Sequence, residues 1–153
     1  MIRFIVLFFV FIPSIAYSQI KIDKGGNFWD LRVSEALQKI KSIDSNYYKT
    51  VNDYCQEISF WNGPYSTNSG DSLIRGTIII SAKDMNIEDL DNICAVIVHE
   101  SLHLKLRSLR MSCSENEEEV FCYQYERDFL LKVPGVKSYL IRHAELQIKY
   151  RSN

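Results

Sequence analysis

The 153-residue chain is 46% hydrophobic and 24% charged, with only 6 Gly and 3 Pro, a composition that can bury a core and excludes collagen-like, low-complexity and disordered classes. Eighteen Lys and Arg against nineteen Asp and Glu leave a formal charge of -1, so no long-range field points to a nucleic-acid or anionic-membrane partner. The length suits one domain, and no period of about 20–50 residues recurs, which excludes solenoids and propellers.

The chain opens with Met1-Ile2-Arg3, a positive start. Phe4 to Ile12 is unbroken hydrophobe, Pro13 breaks it, and Ala16-Tyr17-Ser18 puts small residues at both signal-peptidase positions. Residues 1–18 therefore read as a cleavable signal peptide, because so short an apolar run makes at most about 18 Å of helix against about 30 Å of hydrocarbon. The remainder, 19–153, reads as a single secreted or periplasmic domain with no stable membrane anchor. Cys55, Cys94, Cys113 and Cys122 would meet an oxidising compartment, where bridges and buried free thiols are both open and the spacings select no pairing. No spacing is CxxC, which disfavours a cysteine zinc ribbon.

Val33, Ala36, Leu37, Ile40 and Ile43 fall at helical spacing and predict a first helix. A second, through Tyr47, Tyr48, Val51 and Tyr54, follows the cap-forming cluster Asp44-Ser45-Asn46. The period then changes: Ile58 and Phe60 alternate with Ser59 and Trp61, Asn62-Gly63-Pro64 turns the chain, and Leu73 to Ser81 carries the β-branched run Thr77-Ile78-Ile79-Ile80. The expectation is a small antiparallel hairpin, with the second strand covered on both faces unless one face is a substrate groove. Asn86 is a candidate cap for a third helix, with Asp89 at its third position, and the apolar stretch Leu90 to Leu106 makes this the most hydrophobic helix after the leader. Ser114-Glu115-Asn116-Glu117 has the form of a capping box, starting a fourth helix near Glu115 that runs until Pro134-Gly135. A final amphipathic helix covers Val136 to about Tyr150. The fold class is α+β.

Two of the three histidines lie in His99-Glu100-Ser101-Leu102-His103 on the third helix. Four residues turn a helix by about 400°, so both imidazoles leave one face about a turn apart and can share a tetrahedral cation. Glu100 lies beside the open position, where a carboxylate can take a proton from water. Composition alone predicts about 0.004 such H-E-x-x-H motifs in this chain, so chance is a poor account of it. A catalytic zinc wants a third protein ligand, and Glu115, Glu117, Glu118 and Glu119 open the next helix. Glu115 and Glu117 suit capping; Glu118 shares a stripe with Phe121, Cys122, Tyr125 and Phe129, Glu119 borders it, and either could meet the histidines.

At these residues the chain resembles the HExxH zincin metallopeptidases, specifically their gluzincin branch. Glu119-Val-Phe-Cys122-Tyr-Gln-Tyr125 is similar to the E-x-x-A-x-x-F pattern of compact gluzincins, with cysteine in place of the usual small residue. The resemblance implies zinc held by His99, His103 and Glu119, with Glu100 as general base and a zincin-like order of two helices, a hairpin, the metal helix and the glutamate helix. It also implies a peptide or protein substrate, added as a strand along Ile78, Ile79 and Ile80. The chain departs from the family at position 123, where Tyr stands in place of a common second carboxylate. Candidates for stabilising an oxyanion are Tyr123, Tyr125 and His143. The reading from another class is a secreted binding protein, with a structural zinc or with no metal.

Overall fold

The computed structural model describes residues 20–22, 26–61, 76–81 and 88–152. The signal-peptide reading, the Asn62-Gly63-Pro64 turn and the Asn86 cap lie outside these residues. In chain order the elements are β1 (Lys21–Ile22), α1 (Asn27–Ile43), α2 (Ser45–Tyr54), β2 (Glu57–Trp61), β3 (Thr77–Ser81), α3 (Leu90–Ser108), α4 (Glu115–Leu130) and α5 (Ser138–Arg151). The protein is α+β and mostly helical. Among the described residues no helix is long and apolar enough to cross a membrane.

Local chemistry sets the helix boundaries. Asp44 caps α2 by accepting from the Asn46 amide, and Ser114 caps α4 in a complete capping box with Glu117. Asp89 is not the third residue of α3 but its cap: its carboxylate accepts from the amides of Asp91 and Asn92. A carboxylate satisfies the orphan amides best from the position just before the helix.

The sheet corrects the hairpin expectation. Strand order is β1-β2-β3 and both pairings are parallel, with Ile58 opposite Ile78 and Phe60 opposite Ile80. A two-residue turn can only fold a chain back antiparallel, whereas the stretch 62–75 is long enough for the dozen or so residues that a parallel return requires. The continuous β-branched run is itself the mark of a parallel strand buried on both faces. Thr77, Ile78, Ile80 and Ser81 are buried and Ile79 is half-buried, while β3 is the last strand in the described sheet.

Helix α3 packs against α1, α2, α4 and β3, and α5 packs on α4. Ile40, Val51, Ile58, Ile78, Ile93, Ile97, Val98 and Phe129 form the centre of one core. A smaller cluster of Leu102, Leu106 and Cys122 fills the far end of the α3–α4 interface. From Ile93 to Leu104 nearly every side chain of α3 is buried, so polar residues there need partners on the neighbouring helices. All four cysteines are free.

Candidate metal centre

His99, Glu100 and His103 are 7%, 6% and 5% exposed, three ionisable groups on the most enclosed helix of the fold. The partners of the two histidines come from α4. The Nδ1 of His99 lies 2.9 Å from Glu126 Oε2, and the Nδ1 of His103 lies 2.5 Å from Glu118 Oε1. A carboxylate can only accept, so each Nδ1 carries the proton and donates, which turns both Nε2 atoms toward each other. They stand 3.2 Å apart. One oxygen of Glu119 lies 3.6 Å from His103 Nε2 and the other lies 3.7 Å from His99 Nε2.

Each Nε2 thus has its own Glu119 oxygen, so the carboxylate spans the pair and either oxygen would have to move to join both nitrogens on one cation. Nitrogen and oxygen donors at about 2.0–2.1 Å from a zinc ion are separated by about 3.3–3.4 Å. The arrangement could hold a metal ion: two imidazole Nε2 atoms facing each other, a carboxylate beside them, and a carboxylate behind each ring. Cys122 lies close by and is fully buried. Its sulfur and one nitrogen from each of His99 and His103 all fall within 4.8 Å of one another.

Electrostatics distinguishes the two rings. Burial pushes the His99 pKa down, but the Glu126 hydrogen bond and the charges of Glu126, Glu100 and Glu119 outweigh it, so the pKa is raised. The His103 pKa is lowered, by burial and by the neighbouring His99. Burial, reinforced by Glu118, Glu119 and Glu100, pushes the Cys122 thiol far above its ordinary range.

Beside His99 opens a cavity of about 310 Å³, lined among others by Ser81, Glu100, Tyr123, Tyr139 and His143. Tyr123 meets His99 edge to face with ring centroids 4.4 Å apart, and His143 stands 6.0 Å from the Tyr123 ring. Burial, with Glu119 and Glu126 nearby, pushes the Tyr123 hydroxyl up to about 12, so it remains a donor at neutral pH. Tyr139 is pushed up to about 12 by its hydrogen bond to Asp89, which its hydroxyl reaches at 2.5 Å. Tyr125, the third oxyanion candidate, is turned away: its hydroxyl donates to Thr50 on α2 at 3.0 Å.

The structure thus brings together His99, His103 and Glu119, with Glu100 on the cavity wall. Glu118 serves the back of the His103 ring and accepts from Arg107 Nε at 3.2 Å. Glu126 was not among the sequence candidates. Its signal was available in the spacing, since it lies seven residues beyond Glu119 and four beyond Cys122, on the face of α4 that those residues define. Comparison of the chain with family models, curated proteins and solved structures finds no match.

Proposed function

We propose that the chain is a compact, exported zinc-dependent hydrolase of the gluzincin type, acting on peptide bonds, with zinc held by His99, His103 and Glu119. The observation that carries this reading is the convergence of two Nε2 atoms 3.2 Å apart and a carboxylate 3.6 and 3.7 Å from them, beside a cavity that Glu100 lines. A bound zinc polarises a carbonyl and acidifies water.

The chain's own residues do the rest. Glu126 and Glu118 fix the tautomers so that both Nε2 lone pairs face the centre. Glu100, on the cavity wall and nearly enclosed, accepts a proton from the attacking water at its carboxylate and returns it to the departing amine. The Tyr123 hydroxyl, held protonated, donates to the oxygen on which negative charge develops, and His143 is placed on the same wall to assist. β3 brings Ser81 to this wall, where an extended peptide could pair beside the strand.

The test pairs metal analysis with a general-base variant. Wild type and Glu100→Gln are both expected to hold about one zinc. Hydrolysis of a mixed peptide pool is expected to fall about 10²- to 10⁴-fold in the variant alone. Equal turnover in the two proteins, or no zinc in either, would contradict the reading.

A further inference from the structure

We propose that the Cys122 sulfur is an additional ligand of the cation held by His99 and His103, making the centre selective for thiophilic cations such as zinc and cadmium over hard ones such as manganese. The inference rests on reading the histidine pair as a metal centre and adds a donor that neither the motif nor its spacing assigned. Cys122 Sγ and the two imidazole nitrogens fall within 4.8 Å of one another, and all three residues are buried.

The other cysteines have different surroundings. Cys55 Sγ donates to the Glu57 carbonyl at 3.3 Å and Cys94 Sγ to the Ala36 carbonyl at 3.6 Å, the ordinary condition of a buried thiol. Cys113 lies half-buried in the link between α3 and α4. Cys122 instead sits three residues after Glu119 and four before Glu126, on the face of α4 that presents both carboxylates to the histidines. It packs with Leu102 and Leu106 and is not among the residues that line the cavity. The sulfur therefore approaches from inside the helix pair, leaving the cavity side of the cation to Glu100 and substrate. With sulfur bound, water or substrate on the cavity side would be a fifth ligand, a coordination number that zinc sites reach in the transition state.

With nitrogen at about 2.0 Å and sulfur at about 2.3 Å from zinc, the N···S separation is about 3.5 Å, so the longest separation in the group has to close by about 1 Å. Closing that distance takes a rotation of tens of degrees about the Cys122 side-chain torsion or a comparable shift of the histidine rings. On binding, the S–H bond breaks and a sulfur–metal bond forms. The proton goes to solvent and no electron is transferred.

Cobalt(II) is the probe. The protein loaded with one equivalent is expected to show an intense near-ultraviolet sulfur-to-cobalt charge-transfer band together with weaker visible bands. Cys122→Ala and Cys122→Ser are expected to lose the first and keep the second, while Cys55→Ala keeps both. Cadmium affinity is expected to fall at least about tenfold in Cys122→Ala, with manganese affinity changed by less than about twofold. Visible bands in wild type without charge transfer, or a charge-transfer band that survives in both Cys122 variants, would overturn the sulfur ligand and leave the histidine centre standing. Failure of the folded wild-type chain to take up cobalt would overturn the centre and the sulfur ligand together.

Discussion

Two carboxylates behind two imidazoles decide what this group of residues can do. A neutral imidazole has one donor and one acceptor nitrogen, and its partner chooses between them. Glu126 and Glu118 each accept at an Nδ1, so both rings present Nε2 to the same point. Replacing Glu126 by Gln keeps a carbonyl oxygen for the His99 bond but removes the charge. Zinc affinity, measured by competition with a chelator, is expected to fall about 10- to 100-fold. An unchanged affinity would mean that Glu126 does not orient the ring. At this scale the His99–His103 pair was legible because four residues within one helix fix a common face without any tertiary information. Glu118 and Glu119 differ by about 100° around α4, so deciding which oxygen meets which nitrogen requires the helix pair to be docked. The spacing puts Glu126 on the right face of α4, but its pairing with His99 is fixed by packing between helices and not by local sequence.

The register between α3 and α4 is set by a short link with an unusual residue in it. Arg110 has φ 52°, the left-handed region that a side chain rarely adopts. Its amide donates to the Arg107 carbonyl at 3.1 Å and the Met111 amide donates to the Leu106 carbonyl at 3.1 Å, the paired bonds of a Schellman ending. Glycine favours that position, so Arg110→Gly is expected to stabilise the fold by about 1 kcal/mol in chemical denaturation. A loss of stability would show that the Arg110 side chain contributes more than its backbone costs. At the other end of α3, Asp89 joins α3 to the start of α5: it caps α3, accepts from Lys137 Nζ at 2.9 Å and accepts from the Tyr139 hydroxyl. Burial alone would raise the Asp89 pKa, but the Tyr139 and Lys137 hydrogen bonds outweigh it and hold the carboxyl below its ordinary value. A carboxylate depressed in the folded state stabilises the fold above its unfolded pKa of about 3.9, and that stability is lost as pH falls through the folded value. Asp89→Asn keeps the cap but loses the charge. It is expected to cost about 1–3 kcal/mol near neutral pH and to flatten the acid limb of a stability–pH curve. An acid limb as steep as that of wild type would remove Asp89 from the account. Helix existence and the α4 capping box were legible because caps and apolar periods are local. The direction of β3 was not, because parallel and antiparallel pairing use the same alternating residues and differ in how the chain returns. The run Thr77 to Ile80 contained the clue, and the turn residues at 62–64 outweighed it.

Over the whole molecule, α3 is held between the N-terminal helices and β3 on one side and α4 on the other, which is why its polar residues are enclosed. Enclosing His99, Glu100 and His103 costs free energy unless each finds a partner or a cation. For the two histidines the fold meets that cost with carboxylates from a single helix, α4, and it places the cavity where α5 leans over the same face. Phe129, fully buried, fixes the far end of α4 against α2 through its edge contact with Tyr47 at 5.2 Å. The centre and the core are thus built from the same helix pair. The most direct measurement is an anomalous difference map, at the zinc absorption edge, from crystals of the protein grown with one equivalent of zinc. One strong peak is expected in contact with His99 Nε2, His103 Nε2 and the Glu119 carboxylate. A map with no peak there, or with zinc bound only at exposed side chains, would contradict the metal centre.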